Sequence, residues 1–241
     1  MIQEYNKYSA DDFQTWSLLF EPQIKLLQGK ACDEFLNGVA TLKFSDKKIP
    51  DFKETNAILQ NLTGWQIHVV PGLIPAQDFF TLLHEKKFCS STWLRSREQL
   101  EYLEEPDMFH DVFGHVPFLA NQEMSEFLLQ LSGVALKYIS NEKVIELISR
   151  VYWFTVEFGL LKNTSGEIRI LGAGILSSPG ETVHCLSATE KHQPFDMTTI
   201  IDTEYRIDVY QNVYFVLDSL DQLKNSIKDL ERILADRFGT S

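Results

Sequence analysis

Apolar residues recur at helical intervals along most of this chain and alternate as in strands over only a few short stretches. Phe13, Trp16, Leu19 and Phe20 keep a three- or four-residue spacing. Ser9 and Asp12 form a capping-box pattern ahead of them, and Pro22 is expected to interrupt or kink the helix. Phe35, Leu36, Val39 and Leu42 mark a second helix, and residues 52–62 a third that Gly64 stops. Residues 65–70 read as a short strand, Pro71-Gly72 as a turn, and 76–86 as a helix opened by Pro75. Further helices are predicted over 124–138 and 144–158, and strands over 167–170 and 213–217. Ser178-Pro179-Gly180-Glu181 is a second capping box with proline at the first helical position. The last helix, over 219–236, carries Leu220, Leu223, Ile227, Leu230 and Leu234 as a heptad seam. Just over two heptads is too short to argue a coiled coil, so this seam is expected to pack on the chain's own core. The predicted class is mainly α with minor β, an α+β fold.

Composition narrows the possible partners. With 241 residues, 44% of them hydrophobic, the chain can bury one sizeable core, and no linker or repeat divides it. One domain over residues 1–241 is the expectation. Lys and Arg number 22 against 34 Asp and Glu, a net charge of −12 that disfavours nucleic acid and anionic membrane as partners. Cys32, Cys89 and Cys185 are odd in number and widely spaced, which fits neither a disulfide framework nor a paired-cysteine metal site. The start of the chain lacks a basic-then-apolar signal and no apolar run reaches spanning length, so a cytoplasmic location is expected.

Candidate chemistry lies in two blocks. Glu105-Pro106-Asp107-Met108-Phe109-His110-Asp111-Val112-Phe113-Gly114-His115-Val116-Pro117 holds two histidines five residues apart, and Tyr152-Trp153-Phe154-Thr155-Val156-Glu157-Phe158-Gly159 holds a lone glutamate. Six histidines produce such pairs by chance, so the spacing alone carries little. On a regular α-helix, positions i and i+5 diverge. Pro106 and Asp107 suit a helix start, and Gly114 can end a short helix in a left-handed conformation before Pro117. His110 would then sit on the helix and His115 just beyond it, with the two rings converging. Glu157 lies in a stretch, 151–161, with almost no other charge. A buried carboxylate there needs a cation or hydrogen-bond donors. Two imidazoles and one carboxylate can hold a metal on three corners of an octahedron and leave the rest open, the arrangement of ferrous oxygenases.

These two blocks, with Gly172-Ala173-Gly174-Ile175-Leu176-Ser177-Ser178, resemble the catalytic core of the pterin-dependent aromatic amino acid hydroxylases in their short bacterial form. The resemblance runs from about residue 65 to 219. It implies that His110, His115 and Glu157 hold ferrous iron, that a tetrahydropterin supplies electrons, and that dioxygen supplies the hydroxyl oxygen. It further implies that Phe79 stacks on the pterin, with Gly72, Leu73, Ile74, Asp111 and Tyr152 around it. On residue type alone, Phe79-Phe80 on a helix reads as core. Arg95 is implied to clamp the substrate carboxylate with Asp107 supporting it, although residue type leaves Arg97 equally open. Pro106 and Trp153 would pack on the substrate ring, with Ser177 beside the amino acid. Trp153 matches phenylalanine and tyrosine hydroxylases, because tryptophan hydroxylases usually carry Phe there. Phe109, Phe113, Phe154 and Phe158 are expected to wall the site with Trp153.

Leu103-Glu104, Leu171 and Pro179 depart from the family pattern, the last two at positions expected beside the substrate wall. The resemblance favours hydroxylation of L-phenylalanine to L-tyrosine by a monomer. Tryptophan hydroxylation and 3-hydroxylation of phenylalanine remain open within the family. Outside it, a zinc hydrolase could use the same three ligands, although no separate general base stands in a motif such as His-Glu-x-x-His. A non-catalytic relative would be expected to lose a ligand, and all three are present.

Overall fold

Side-chain caps set where the first helices begin in this computed structural model, which describes residues 1–100 and 105–239. The Leu103-Glu104 pair lies outside the described residues. Helix α1 (Ala10–Leu27) starts at Ser9, whose hydroxyl accepts from Asp12 N–H while the Asp12 carboxylate accepts from Ser9 N–H. Contrary to expectation, Pro22 does not interrupt it. The carbonyl that Pro22 leaves without a donor belongs to Leu18 on the exposed face, where water can satisfy it, and buried Gln23 and Leu27 anchor the last turn. Helix α2 (Asp33–Thr41) follows, and α3 (Phe52–Leu62) is capped by Asp51. Gly64 then adopts φ +80, a conformation that suits glycine at a helix end.

Strand β1 (Gln66–Val69) leads through α4 (Ala76–His84) to β2 (Lys87–Ser90), and the two strands pair in parallel. Helices α5 (Val116–Leu119), α6 (Gln122–Lys137) and α7 (Glu142–Tyr152) form the centre of the chain. Beyond them come β3 (Leu160–Lys162), β4 (Ile168–Ile170), α8 (Ala173–Leu176), α9 (Pro179–Ser187), β5 (His192–Pro194), α10 (Met197–Asp202), β6 (Tyr214–Leu217) and α11 (Leu220–Phe238). The later strands form one sheet in the order β4-β3-β6-β5, antiparallel between β3 and β4 and parallel elsewhere. The seam of α11 is buried and packs on α6, as expected. No helix among the described residues is long and apolar enough to cross a membrane.

Two segments differ from the predicted helices in a way that shapes the site. Residues Phe109–His115 form a π-helix that runs directly into α5, and Gly114 does not take the left-handed conformation expected of it. A second π-turn, Trp153–Glu157, closes α7. In an α-helix, five residues leave about 140° between side chains, whereas the i to i+5 bonding of a π-turn brings them onto one face. His110 and His115 therefore share a face without the helix having to end between them.

The opposite face of that π-helix is driven into the core. Phe109 and Phe113 stack at 4.7 Å, with Trp16 5.5 Å from Phe109 and Phe20 and Phe35 within 5.4 Å of Phe113. Each such pair contributes about 0.5–1.5 kcal/mol beyond area burial. This corrects the expectation that Phe109, Phe113, Phe154 and Phe158 wall the site: half-buried Phe158 packs on Trp153 and is not part of the lining of the cavity described next, and the other three lie deeper. Those three are buried in the core and face away from that cavity.

Candidate active site

A cavity of about 450 Å³ opens beside the π-helix, between the loop 70–76, α4, β2 and the end of α7. His110, His115 and Glu157 form its floor. His110 Nε2 lies 3.2 Å from His115 Nε2, His115 Nε2 lies 3.1 Å from Glu157 Oε1, and His110 Nε2 lies 3.6 Å from Glu157 Oε2. His115 is 4% exposed and the Glu157 side chain 13%.

These donors fit a metal. Adjacent ligands bonded at about 2.1 Å to one octahedral ion stand about 3 Å apart, close to the separations observed. The tautomer of His110 is also fixed from behind. Ser177 Oγ gives its only hydrogen to the Ala173 carbonyl at 2.8 Å, so it must accept from His110 Nδ1–H at 2.9 Å. Nε2 of His110 is left with its lone pair aimed at the floor. Burial pushes His110 down to about 4, which keeps that imidazole neutral. Burial also pushes the Glu157 carboxyl up, but the His115 and His110 rings outweigh it and hold the group below its ordinary value. The result is two imidazoles and a carboxylate converging on one point.

Backbone packing holds Glu157 in place. A Cβ on Gly172 would lie 2.2 Å from the Glu157 carbonyl oxygen, so only glycine lets the segment leading into α8 lie against the π-turn. Leu171 and Gly172 both donate to the Gly159 carbonyl. That contact brings α8 and Ser177 onto the back of the His110 ring.

Phe79 and Phe80 both border the cavity but differ in burial. Phe80 is 2% exposed and set in the core, while Phe79 is half-buried and makes a T-shaped contact with Tyr152 at 5.4 Å and 84°. Gly72, Leu73, Ile74, Pro106, Asp111, Tyr152 and Trp153 also line the cavity. Asp111 accepts from Ser91 N–H at 2.9 Å, and burial raises its carboxyl to about 7. Val70, Ala76, Phe80, Phe88, Cys89, Ser149 and Tyr205 complete the lining and were not anticipated. The Cys89 thiol is pushed up to about 12 by burial and is inert there.

Arg95, Asp107 and Ser177 stand one step behind the cavity wall. Arg95 Nε and Nη2 donate to Asp107 Oδ2 and Oδ1 at 2.9 and 2.8 Å, leaving Nη1 without a partner among the described residues. Arg97 points away, paired with Asp11 and Gln14 on the surface. Leu171 is wholly buried and Pro179 is exposed at the start of α9, so neither lies on the cavity as expected.

A family model described as biopterin-dependent aromatic amino acid hydroxylase matches residues 3–240, beyond the 65–219 span read from the sequence. This chain belongs to that family. It is 46% identical over 224 residues to the phenylalanine-4-hydroxylase of Chromobacterium violaceum, covering 92% of this chain and 74% of that one. It is 43% identical over 241 residues to that of Ralstonia nicotianae, covering 100% and 76%. Among solved structures, the C. violaceum enzyme with iron(III) and 7,8-dihydrobiopterin superposes with a TM-score of 0.91 at 44% identity, covering 98% of this chain and 86% of that one. The same enzyme with iron and phenylalanine gives 0.89 at 41% identity, covering 98% and 87%. Membership of this family leaves the zinc hydrolase reading without support.

Proposed function

We propose that this protein hydroxylates the ring of free L-phenylalanine to L-tyrosine with dioxygen, as an iron- and tetrahydropterin-dependent monooxygenase. The observation that carries this is the convergence of His110, His115 and Glu157 on the floor of a cavity that Phe79 and Trp153 line. Those three residues would hold ferrous iron, which supplies oxygen activation when bound.

The chain's own residues do the rest. Phe79 offers a flat face to the pterin, and Gly72, Leu73, Ile74, Asp111 and Tyr152 border the same part of the cavity. Asp107 holds the Arg95 fork so that its free edge can take the amino acid's carboxylate. Trp153 and Pro106 form the wall on which the substrate ring packs. Ser177, read from the resemblance as lying beside the amino acid, has its hydroxyl on His110 and acts by fixing that ring. A largely apolar wall excludes water from a reactive site. Trp153 favours phenylalanine over tryptophan as substrate.

The chain acts as one catalytic unit and a monomer, a reading supported by the burial of the α11 seam against α6. A cytoplasmic location agrees with its acidity and its three free cysteines. Iron analysis of the purified protein, oxygen uptake with phenylalanine and tetrahydropterin, and product identification test the assignment. Tryptophan hydroxylated with the higher kcat/KM, or product other than tyrosine, overturns it.

A further inference from the structure

Ser178 and Glu181 have the sequence of a capping box, yet only half of it forms. Ser178 Oγ accepts from Glu181 N–H at 3.2 Å, but the Glu181 carboxylate turns inward, where it accepts from the Tyr214 hydroxyl and from Gln211 N–H at 3.2 Å. Glu181 is 5% exposed and Gln211 4%. Gln211 ends the irregular segment between α10 and β6, so this buried carboxylate pins that segment at one point.

The Gln211 side chain has a single workable orientation. Its Nε2 donates to the Arg206 carbonyl at 3.0 Å and weakly to the Val209 carbonyl at 3.4 Å, so its Oε1 must face the other way. There it accepts the indole Nε1–H of Trp153 at 2.9 Å. Trp153 is also stacked on Tyr205 at 4.3 Å and 14°, and leans on Phe158 at 4.6 Å. Stacking fixes the plane of an indole but lets it slide and turn within that plane. The hydrogen bond removes that freedom.

We propose that Gln211 is a specificity-determining positioning residue: it sets the in-plane placement of the Trp153 indole, so that the two select the aromatic amino acid as a pair. This deepens the proposed function and rests on Trp153 packing against the substrate ring. Phenylalanine at 153 has no N–H, so it would leave Gln211 Oε1 buried and unpaired. An apolar side chain at 211 would leave the indole N–H unpaired. Changing both orphans neither.

The test is a double-mutant cycle of Trp153→Phe and Gln211→Met, measuring kcat/KM for L-phenylalanine and L-tryptophan on iron-loaded protein, with bound iron and Tm as controls for folding. The ratio of phenylalanine to tryptophan kcat/KM should fall about three- to tenfold in Gln211→Met with iron retained. Adding Gln211→Met to Trp153→Phe should change the ratio less than about twofold, because no indole remains to position. An unchanged ratio in folded, iron-loaded Gln211→Met, or full additivity, overturns the proposal while leaving the wall assignment of Trp153 intact. A Trp153→Phe protein with wild-type selectivity overturns the wall assignment and the proposal with it. Should Gln211→Met fail to fold, the wild-type indole N–H decides. It is assigned in zinc-substituted protein by its loss in Trp153→Phe, and solvent exchange as fast as that of the more exposed Trp93 overturns the hydrogen bond.

Discussion

Asp107 holds Arg95 with both carboxylate oxygens and, through Oδ1, also accepts the backbone N–H of His110 at 3.1 Å. One fully buried carboxylate thus ties the guanidinium proposed to bind the substrate to the first residue of the proposed metal triad.

For Arg95, truncation to Ala should lower kcat/KM for the amino acid by one to two orders of magnitude, since a charge-assisted hydrogen bond is worth about 1.5–3 kcal/mol. Lys should not restore it, because a point charge cannot reproduce the fork. Removing one partner of a buried pair leaves the other uncompensated, at a cost of about 3–5 kcal/mol, so Tm should fall as well. Steady-state kinetics with a thermal melt check both. Unchanged amino acid KM and coupling would move the clamp elsewhere.

Alanine at His110, His115 or Glu157 should each abolish hydroxylation and most iron binding, because a three-ligand site has no spare donor. Stripping iron from the native protein should lower Tm by about 5–10 °C, if iron at one hundred times its dissociation constant adds about 2.7 kcal/mol to the stability of a chain this long. Full turnover by any of the three variants would sink the triad.

Phe79→Ala and Phe80→Ala should differ, because Phe80, though it also borders the cavity, is 2% exposed and set in the core. The first should raise the pterin KM about two- to tenfold and leave iron content and Tm near wild type. The second should cost about 3–5 kcal/mol of stability, as expected for a core phenylalanine. An unchanged pterin KM in Phe79→Ala would return that residue to a packing role.

Much of this was legible in the sequence. Glu157 stands out as a lone carboxylate in an apolar stretch, and the histidines through the block that resembles the family, but the helix end expected at Gly114 was not what brings the two rings together. Helix starts at Ser9 and Ser178 follow from capping chemistry that acts within four residues, although the second box forms only by half. The π-turns were not legible, since Phe109, Val112 and Phe113 have the spacing of an ordinary α-helical core face. Nor could adjacency in sequence show that Phe80, though it borders the cavity, is the more deeply buried of the pair with Phe79. Tyr205 and Gln211 reach Trp153 from more than fifty residues away, out of a segment with no periodic pattern, and only the tertiary fold brings them there.

Glu181 gives a pH-dependent outcome. Burial raises its carboxyl above the ordinary value of 4.5, against the opposing bonds from Tyr214 and Gln211. A raised folded value means that this group's stabilisation is complete below that ordinary value and is lost as pH climbs through the raised one. Glu181→Gln keeps an acceptor but cannot ionise. Its Tm relative to wild type should therefore be more favourable at about pH 7 than at about pH 4. A difference that is flat with pH, or of opposite sign, would refute this.

Each of the two π-turns contains, in effect, one residue more than an α-helix of the same length would hold. Deleting a single residue within 109–115 or 153–157 would let the segment heal into a regular, more tightly bonded helix, with its aromatic face still able to find the core. The chain would gain local regularity, and a deletion between His110 and His115 would leave them four positions apart, about 40° from one another and still on one face of the helix. A length change there, with no change of chemical character, would therefore show whether the donors need the loose winding itself or only a common face.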